Sequence, residues 1–120
     1  MSIAISQAEA KILAVLPNAT VLGGEINSLG MYLVFDHIVM NNIDIDDVDY
    51  VFHLFVAISS KTKNKQLAYQ PLDAALAALV ADYQANRNIE LGRIVPYRLK
   101  GLIVYKMPLT VRGFKGEDYV

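Results

Sequence analysis

The chain has 120 residues, 54% of them hydrophobic, and its 11 basic and 12 acidic residues leave a formal net charge of −1. The absence of cysteine from the sequence excludes disulfides, thiolate metal sites and thiol nucleophiles. The near-neutral charge argues against a general nucleic-acid binder, because such proteins normally carry a basic surplus.

Length and apolar composition predict how the chain is organised. A chain of this length is expected to form one α+β domain over residues 1–120. The sequence contains no run of ~18 uncharged residues that could cross a membrane. Its first residues, MSIAISQAEA, lack the basic region of a signal peptide. We therefore expect a cytoplasmic protein that buries part of its apolar surface against other subunits.

The first predicted element is a helix from about Gln7 to Leu16. The sequence SQAE, Ser6–Glu9, matches a capping box, and Pro17 ends the helix. Four apolar residues recur on one face of this helix: Ile5, Ala8, Ile12 and Leu16. A short strand near Thr20 and a turn at Gly23–Gly24 are expected to follow.

Two long strands are predicted in the middle of the chain. Met31–Met40 is rich in β-branched and aromatic residues, and Tyr50–Ser59 carries no formal charge. The connection Asn41–Asp49 contains a run of aspartates, but it lacks the glycine and the distal glutamate of a calcium-binding EF-hand loop. We therefore expect a solvated turn and no metal site there.

A basic loop and a second helix come next. Ser60–Gln70 is predicted to be a loop with Lys61, Lys63 and Lys65 at its tip, suited to docking an acidic partner surface or passing DNA. The second helix is expected to begin at Pro71, a favoured first-turn position for proline. Its apolar stripe consists of Leu72, Leu76, Leu79, Val80 and Tyr83.

The last predicted element is a long strand within Gly101–Gly116. The preceding segment, Ala85–Lys100, is expected to be mostly a connection, with a short strand around Ile94. Pro108 lacks an amide hydrogen and indicates an edge position or a bulge. This order of elements predicts an α+β fold in which a mainly antiparallel sheet has two helices packed on one face.

The stretch YVFHLFVAISS, residues 50–60, is apolar on both alternating rows, so something must cover each face of its strand. The bulkier row is expected to face the helices: Tyr50, Phe52, Leu54, Val56 and Ile58. The outer rows of this strand and the last one are expected to form an oligomer interface: Val51, His53, Phe55, Leu102 and Val104. Burial gains about 1.5–3 kcal/mol per apolar side chain, against ~4–15 kcal/mol lost on association. A ring gives each subunit two such contacts, so we expect an oligomer.

No catalytic arrangement is predicted. Asp36 and His37 are adjacent in a strand, where neighbouring side chains point to opposite faces, so they are not expected to form a dyad. His53 is expected to pack at an interface. The sequence contains neither a GxSxG nor an HExxH motif.

From about Ser6 to Gly113, the order of elements resembles the tail terminator proteins of long-tailed phages, prophages and related contractile particles. Residues that carry the resemblance are YVFHLFVAISS, the polar loop after it, PLDAALAALVADY and GLIVYKMPLTVRG. The resemblance implies a hexameric ring that caps the tail tube, ends its polymerisation and meets the head connector. It also implies a virion-tail location after assembly in the host cytoplasm, DNA as passing cargo, no cofactor and no catalysis.

Two other classes of protein are compatible with the same sequence. One is a small dimeric α+β protein that binds or transforms an apolar small molecule in a pocket beneath its sheet. The sequence lacks the convergent polar residues that such a site normally needs. The other is a regulatory or toxin–antitoxin interaction module, which the size fits better than the near-neutral charge does.

Overall fold

Two helices and six strands make up the described residues, 5–40, 48–61 and 64–113, of the computed structural model. In chain order they are α1 (Ile5–Val15), β1 (Ala19–Val21), β2 (Gly30–Met40), β3 (Val48–Ser59), α2 (Lys65–Asn86), β4 (Ile89–Leu91), β5 (Val95–Leu99) and β6 (Leu102–Gly113). The predicted strands at Thr20, Met31–Met40 and Tyr50–Ser59 are confirmed. The first helix is confirmed as well, but it begins at Ile5, so Ser6 lies inside it rather than at a capping position.

All six strands belong to one sheet with the order β1-β2-β3-β6-β4, and β5 also pairs with β6. The β1–β2 pair is parallel, and every other pair is antiparallel. The predicted α+β fold with a mainly antiparallel sheet is therefore confirmed. β4 and β5 lie one after the other along the same side of β6, because β4 pairs with residues 109–111 and β5 with residues 102–106.

Both helices pack on one face of the sheet and form the main core. α1 contributes Ala8 and Ile12, and α2 contributes Leu72, Ala75 and Leu79. The sheet meets them with the bulkier row of β3 and the matching row of β6: Tyr50, Phe52, Leu54, Val56, Ile58, Met107, Leu109 and Val111. The alternation in the sequence thus predicted the inner face of both strands correctly, because the pleat sends alternate side chains to opposite faces.

α2 begins at Lys65, so the predicted start at Pro71 is wrong. The side chain of Asn64 caps the helix by accepting hydrogen bonds from the amides of Gln66 (3.1 Å) and Leu67 (3.3 Å). Pro71 lies inside the helix and has no amide hydrogen for the carbonyl of Leu67. Leu72, Ala75 and Leu79 pack on the sheet and stabilise the helix despite this lost hydrogen bond.

Where one short strand was expected around Ile94, the structure has two, β4 and β5, which lie on either side of that residue. Pro108 lies in the middle of β6, which has neighbours on both sides. The amide of Gly92 donates a hydrogen bond to the Pro108 carbonyl (2.8 Å) at the break between β4 and β5. A strand residue directs its nitrogen and its carbonyl to the same side. The nitrogen of Pro108 therefore faces this break, where no ladder hydrogen bond is lost.

Candidate assembly surface

The outer face of the sheet is partly covered by the chain itself. The connection between β1 and β2 folds back over it, and Ile26 is buried there against Ala57 and Val104. We call this group the Ile26 cluster. The half-buried side chains around it are Leu22, Tyr32, Phe55, Leu99 and Leu102.

The Ile26 cluster corrects the predicted interface. Val104 is 0% exposed, so the expectation that it lies open to other subunits is wrong. Phe55 and Leu102 are half-buried against the same cluster. The Tyr32 hydroxyl holds the covering connection in place by donating a hydrogen bond to the Ser28 carbonyl (2.9 Å). A single large apolar residue within a turn-rich segment gave no periodic signal that could predict this cover.

Val51 and His53, the other two predicted interface residues, lie further along β3 and are half-buried. His53 stands near Asp36, whose Oδ1 atom is 3.6 Å from the His53 Nδ1 atom. The other carboxylate oxygen of Asp36 is hydrogen-bonded to the Nδ1 atom of His37. The three side chains form a carboxylate–imidazole cluster at the surface.

A β-bulge makes that cluster possible. The register of the β2–β3 pair passes from Phe35 opposite Phe52 to His37 opposite Val51, so that Asp36 is an extra residue. The expectation that Asp36 and His37 cannot meet is therefore wrong. It holds for a regular strand, but a bulge re-aims its side chains, and nothing in the local sequence predicts this bulge.

The cluster changes the proton affinity of two of its members. The hydrogen bond from His37 lowers the pKa of the Asp36 carboxyl group. Burial lowers the pKa of His53, although the negative charge of Asp36 partly opposes the change. Within residues 5–40, 48–61 and 64–113, no group of three or more histidine, aspartate or glutamate side chains is arranged to hold a metal ion. The aspartates at positions 44, 46 and 47 lie outside these ranges.

The predicted docking lysines do not share one loop. Lys61 is exposed directly after β3, and Lys65 is exposed as the first residue of α2. Lys63 lies outside the described residues. Lys65 gains nothing from the helix dipole, which disfavours a cation at a helix N-terminus.

The second half of β2 is an exposed sheet edge that sequence reasoning missed. β1 pairs only with residues 31–33 of β2, and no described strand pairs with the outer side of residues 37–40. We call residues 37–40 the distal edge. Its side chains include Ile38, Val39 and Met40, which are 44%, 37% and 52% exposed. Strand length could have indicated this edge, because β1 has three residues and cannot pair along all eleven residues of β2.

An apolar groove lies at the opposite side of the sheet, between the C-terminal part of α2 and β4. Its lining residues are Leu79, Val80, Tyr83, Gln84, Glu90 and Leu91, around an open volume of about 580 Å³. We call it the α2–β4 groove. Val80 and Tyr83 are 47% and 38% exposed in it, and the guanidinium of Arg87 stacks over the Tyr83 ring at 5.2 Å. Two apolar surfaces thus lie on opposite sides of one sheet.

No protein-family model and no curated protein matches this chain. Neither described helix combines the length and the hydrophobicity needed to span a membrane.

Proposed function

We propose that this chain is a structural, non-enzymatic subunit that assembles into a closed ring, as do the tail terminator proteins it resembles. The ring, a hexamer by that resemblance, caps a phage or prophage tail tube, stops its polymerisation and joins it to the head connector. In this role the protein acts without a cofactor, encircles DNA only as passing cargo and ends in the virion tail.

The observation that carries the proposal is the distal edge. Residues 37–40 pair with no described strand on their outer side and expose Ile38, Val39 and Met40, which makes them a template for pairing with another chain. Strand edges that remain unpaired in soluble proteins usually carry proline, lysine or a very short strand. Residues 37–40, HIVM, contain neither proline nor lysine.

Further apolar surface supports association rather than a solitary subunit. α2 exposes Leu67, Val80 and Tyr83 at 56%, 47% and 38%. A stable interface buries about 800 Å² on each partner, more than four residues of one strand supply. We therefore expect the distal edge to meet a broader apolar surface. A contact between unlike surfaces closes into a ring when the rotation between copies allows it.

Native mass spectrometry and negative-stain imaging of the purified chain test the assembly. The expected result is a six-fold ring whose mass is that of six chains. A monomer that persists at high concentration would contradict the proposal. A compact dimer that binds an apolar dye would instead support the alternative, a small-molecule binder.

The terminator role needs a second test with a tail tube. The purified ring is added to a self-polymerising tail-tube protein. We expect shorter tubes, each with a ring at one end. Unchanged tube lengths in the presence of an intact ring would contradict capping and would indicate another head–tail joining role.

Docking to the tube is expected to involve the lysines near the start of α2. Replacing Lys61, Lys63 and Lys65 together by alanine should weaken binding to the tube in a pull-down assay and leave the ring mass unchanged, because Lys61 and Lys65 are exposed. Arg98→Ala, at an exposed position of β5, is the control. An unchanged affinity of the triple variant would remove these lysines from the proposal.

A further inference from the structure

Four helix-facing residues form one row across the far half of the sheet. Ile38 of β2 is opposite Tyr50, Tyr50 is opposite Val111, and Val111 is opposite Ile89 of β4. The two ends of this row are therefore the distal edge on one side and β4 on the other. Both ends lie at the same level along the strands.

The strand directions at these two ends are opposite. β2 is antiparallel to β3, β3 to β6 and β6 to β4, so β2 and β4 run in opposite directions. A second copy placed beside the first with its strands in the same orientation brings its β2 next to β4 in antiparallel sense. The new pair therefore continues the pattern that the sheet already follows.

The side chains of the two edges are complementary on the helix side. Ile38 and Met40 alternate with His37 and Val39, so Ile38 and Met40 share the helix-facing side of the strand. Beside β4, that side opens into the α2–β4 groove with its exposed Val80 and Tyr83. The added strand would thus put its two exposed apolar side chains into an apolar groove.

Polar groups of the two edges can also meet on the outer side. If Ile38 of the second copy continues the row and lies opposite Ile89, its His37 lies opposite Glu90. The Glu90 carboxylate is ion-paired with Arg112 of its own chain (3.1 Å). A carboxylate accepts more than one hydrogen bond, so it can also accept one from an imidazole N–H of His37 across the new pair.

We propose that the distal edge of one copy pairs with β4 of the next copy in antiparallel sense and inserts Ile38 and Met40 into the α2–β4 groove. The inference rests on the proposed function, since it names the contact that builds the ring. Each subunit offers the distal edge to one neighbour and β4 with the α2–β4 groove to the other. The sheets of adjacent copies become continuous.

Disulfide cross-linking tests the pairing directly, because the chain has no native cysteine. Residues opposite each other in an antiparallel pair have Cα atoms about 4.5–5.5 Å apart, within the range of a disulfide. His37→Cys and Glu90→Cys are suitable because their side chains are 53% and 42% exposed. We expect oxidation to join the two variants when they are mixed, while neither variant links to itself. The double variant should form a series of covalently linked oligomers, and the largest of them should have the mass of the ring.

Val21→Cys mixed with Glu90→Cys is the matched control, since Val21 is 47% exposed on the edge strand β1. We expect at least tenfold more linked product with His37→Cys than with this control. Linking of His37→Cys to itself would overturn the inference in favour of a two-fold dimer through β2. An intact ring by native mass without linkage would also overturn it but would leave the proposed function standing. Absence of any assembly in the unmodified chain would contradict both.

Discussion

The two halves of the sheet are covered in different ways. In the half that contains residues 30–33 and 54–59, the helices cover one face, the Ile26 cluster covers the other, and β1 pairs with the edge of β2. In the half that contains residues 37–40 and β4, the helices cover the inner face of β3, β6 and β4 but leave Ile38 and Met40 exposed, and no described strand pairs with either outer edge. Along β2, the edge is thus paired in one half and has no described neighbour strand in the other.

An apolar row on a strand does not by itself identify an interface. Phe55 and Val51 belong to the same outer row of β3, yet Phe55 lies against the Ile26 cluster and Val51 does not. Which apolar surface stays exposed depends on which segments fold back. The surface that we propose for assembly lies at an edge of this sheet rather than at the centre of its outer face.

The largest expected effect comes from a charge on the distal edge. Ile38→Lys should raise the dissociation constant of the assembly at least about 100-fold, because a buried unpaired ammonium costs several kcal/mol. The subunit itself should stay folded, since Ile38 is 44% exposed and surface substitutions usually change stability by less than about 0.5 kcal/mol. Light scattering over a dilution series measures both the mass and the dissociation.

Val95→Lys provides the matched control for that variant. Val95 is 46% exposed in β5, an edge strand that also contains Pro96. We expect its assembly to equal that of the unmodified chain. Equal dissociation constants for the two lysine variants would remove the distinction between the edges.

The next effect concerns the covered half. Ile26→Ala should lower the free energy of unfolding by about 2 kcal/mol, because it leaves a cavity over Ala57 and Val104. Urea denaturation measures this change. Leu29→Ala, in the same connection but 59% exposed, should change stability by less than about 0.5 kcal/mol. Equal stability of the two variants would contradict the conclusion that Ile26 stabilises the fold by packing over the outer face of the sheet.

A smaller loss is expected at the start of α2, beside the covered half. Asn64→Ala removes the cap that accepts hydrogen bonds from the amides of Gln66 and Leu67, and such a loss costs about 1 kcal/mol. Asn64→Asp keeps the acceptor and should restore the stability. Thermal unfolding of both variants is the measurement, and a full loss in Asn64→Asp would show that the cap is not the cause. Assembly should be the same in both, because the N-terminus of α2 lies outside the proposed contact.

The smallest effect lies at the bulge between the two halves. The pKa of His53 and the pKa of Asp36 are both lowered in the folded chain, so each binds protons less readily than in the unfolded chain. Stability from His53 is therefore present above its unfolded pKa of about 6.5 and is lost as the pH falls below it. Stability from Asp36 is lost in the same direction at lower pH.

The Asp36→Asn variant tests the charge interaction within that cluster. Loss of the carboxylate removes the attraction that partly offsets burial at His53, so the pKa of His53 should fall further. An NMR titration can follow it, because the sequence contains two histidines. A rise in the pKa of His53 in Asp36→Asn would contradict the proposed arrangement.

Sequence reasoning recovered the regular elements and failed at the irregular ones. The alternation in residues 50–59 gave the inner face of β3, because the pleat repeats every two residues whatever the surroundings. Pro71 indicated a helix start, but the helix begins at Lys65 and is capped by Asn64. Two competing start signals lie one after the other in this part of the sequence. The bulge at Asp36 is a single-residue irregularity without a periodic signature.

Local periodicity and short connections were enough to predict the α+β class, the main strands and the rows that face the core. Three features are visible only in the folded chain: Ile26 covers Phe55 and Val104, Asp36 meets both histidines, and residues 37–40 have no described neighbour strand. Coverage of a surface depends on contacts between segments distant along the chain. Such contacts leave no repeating pattern within either segment.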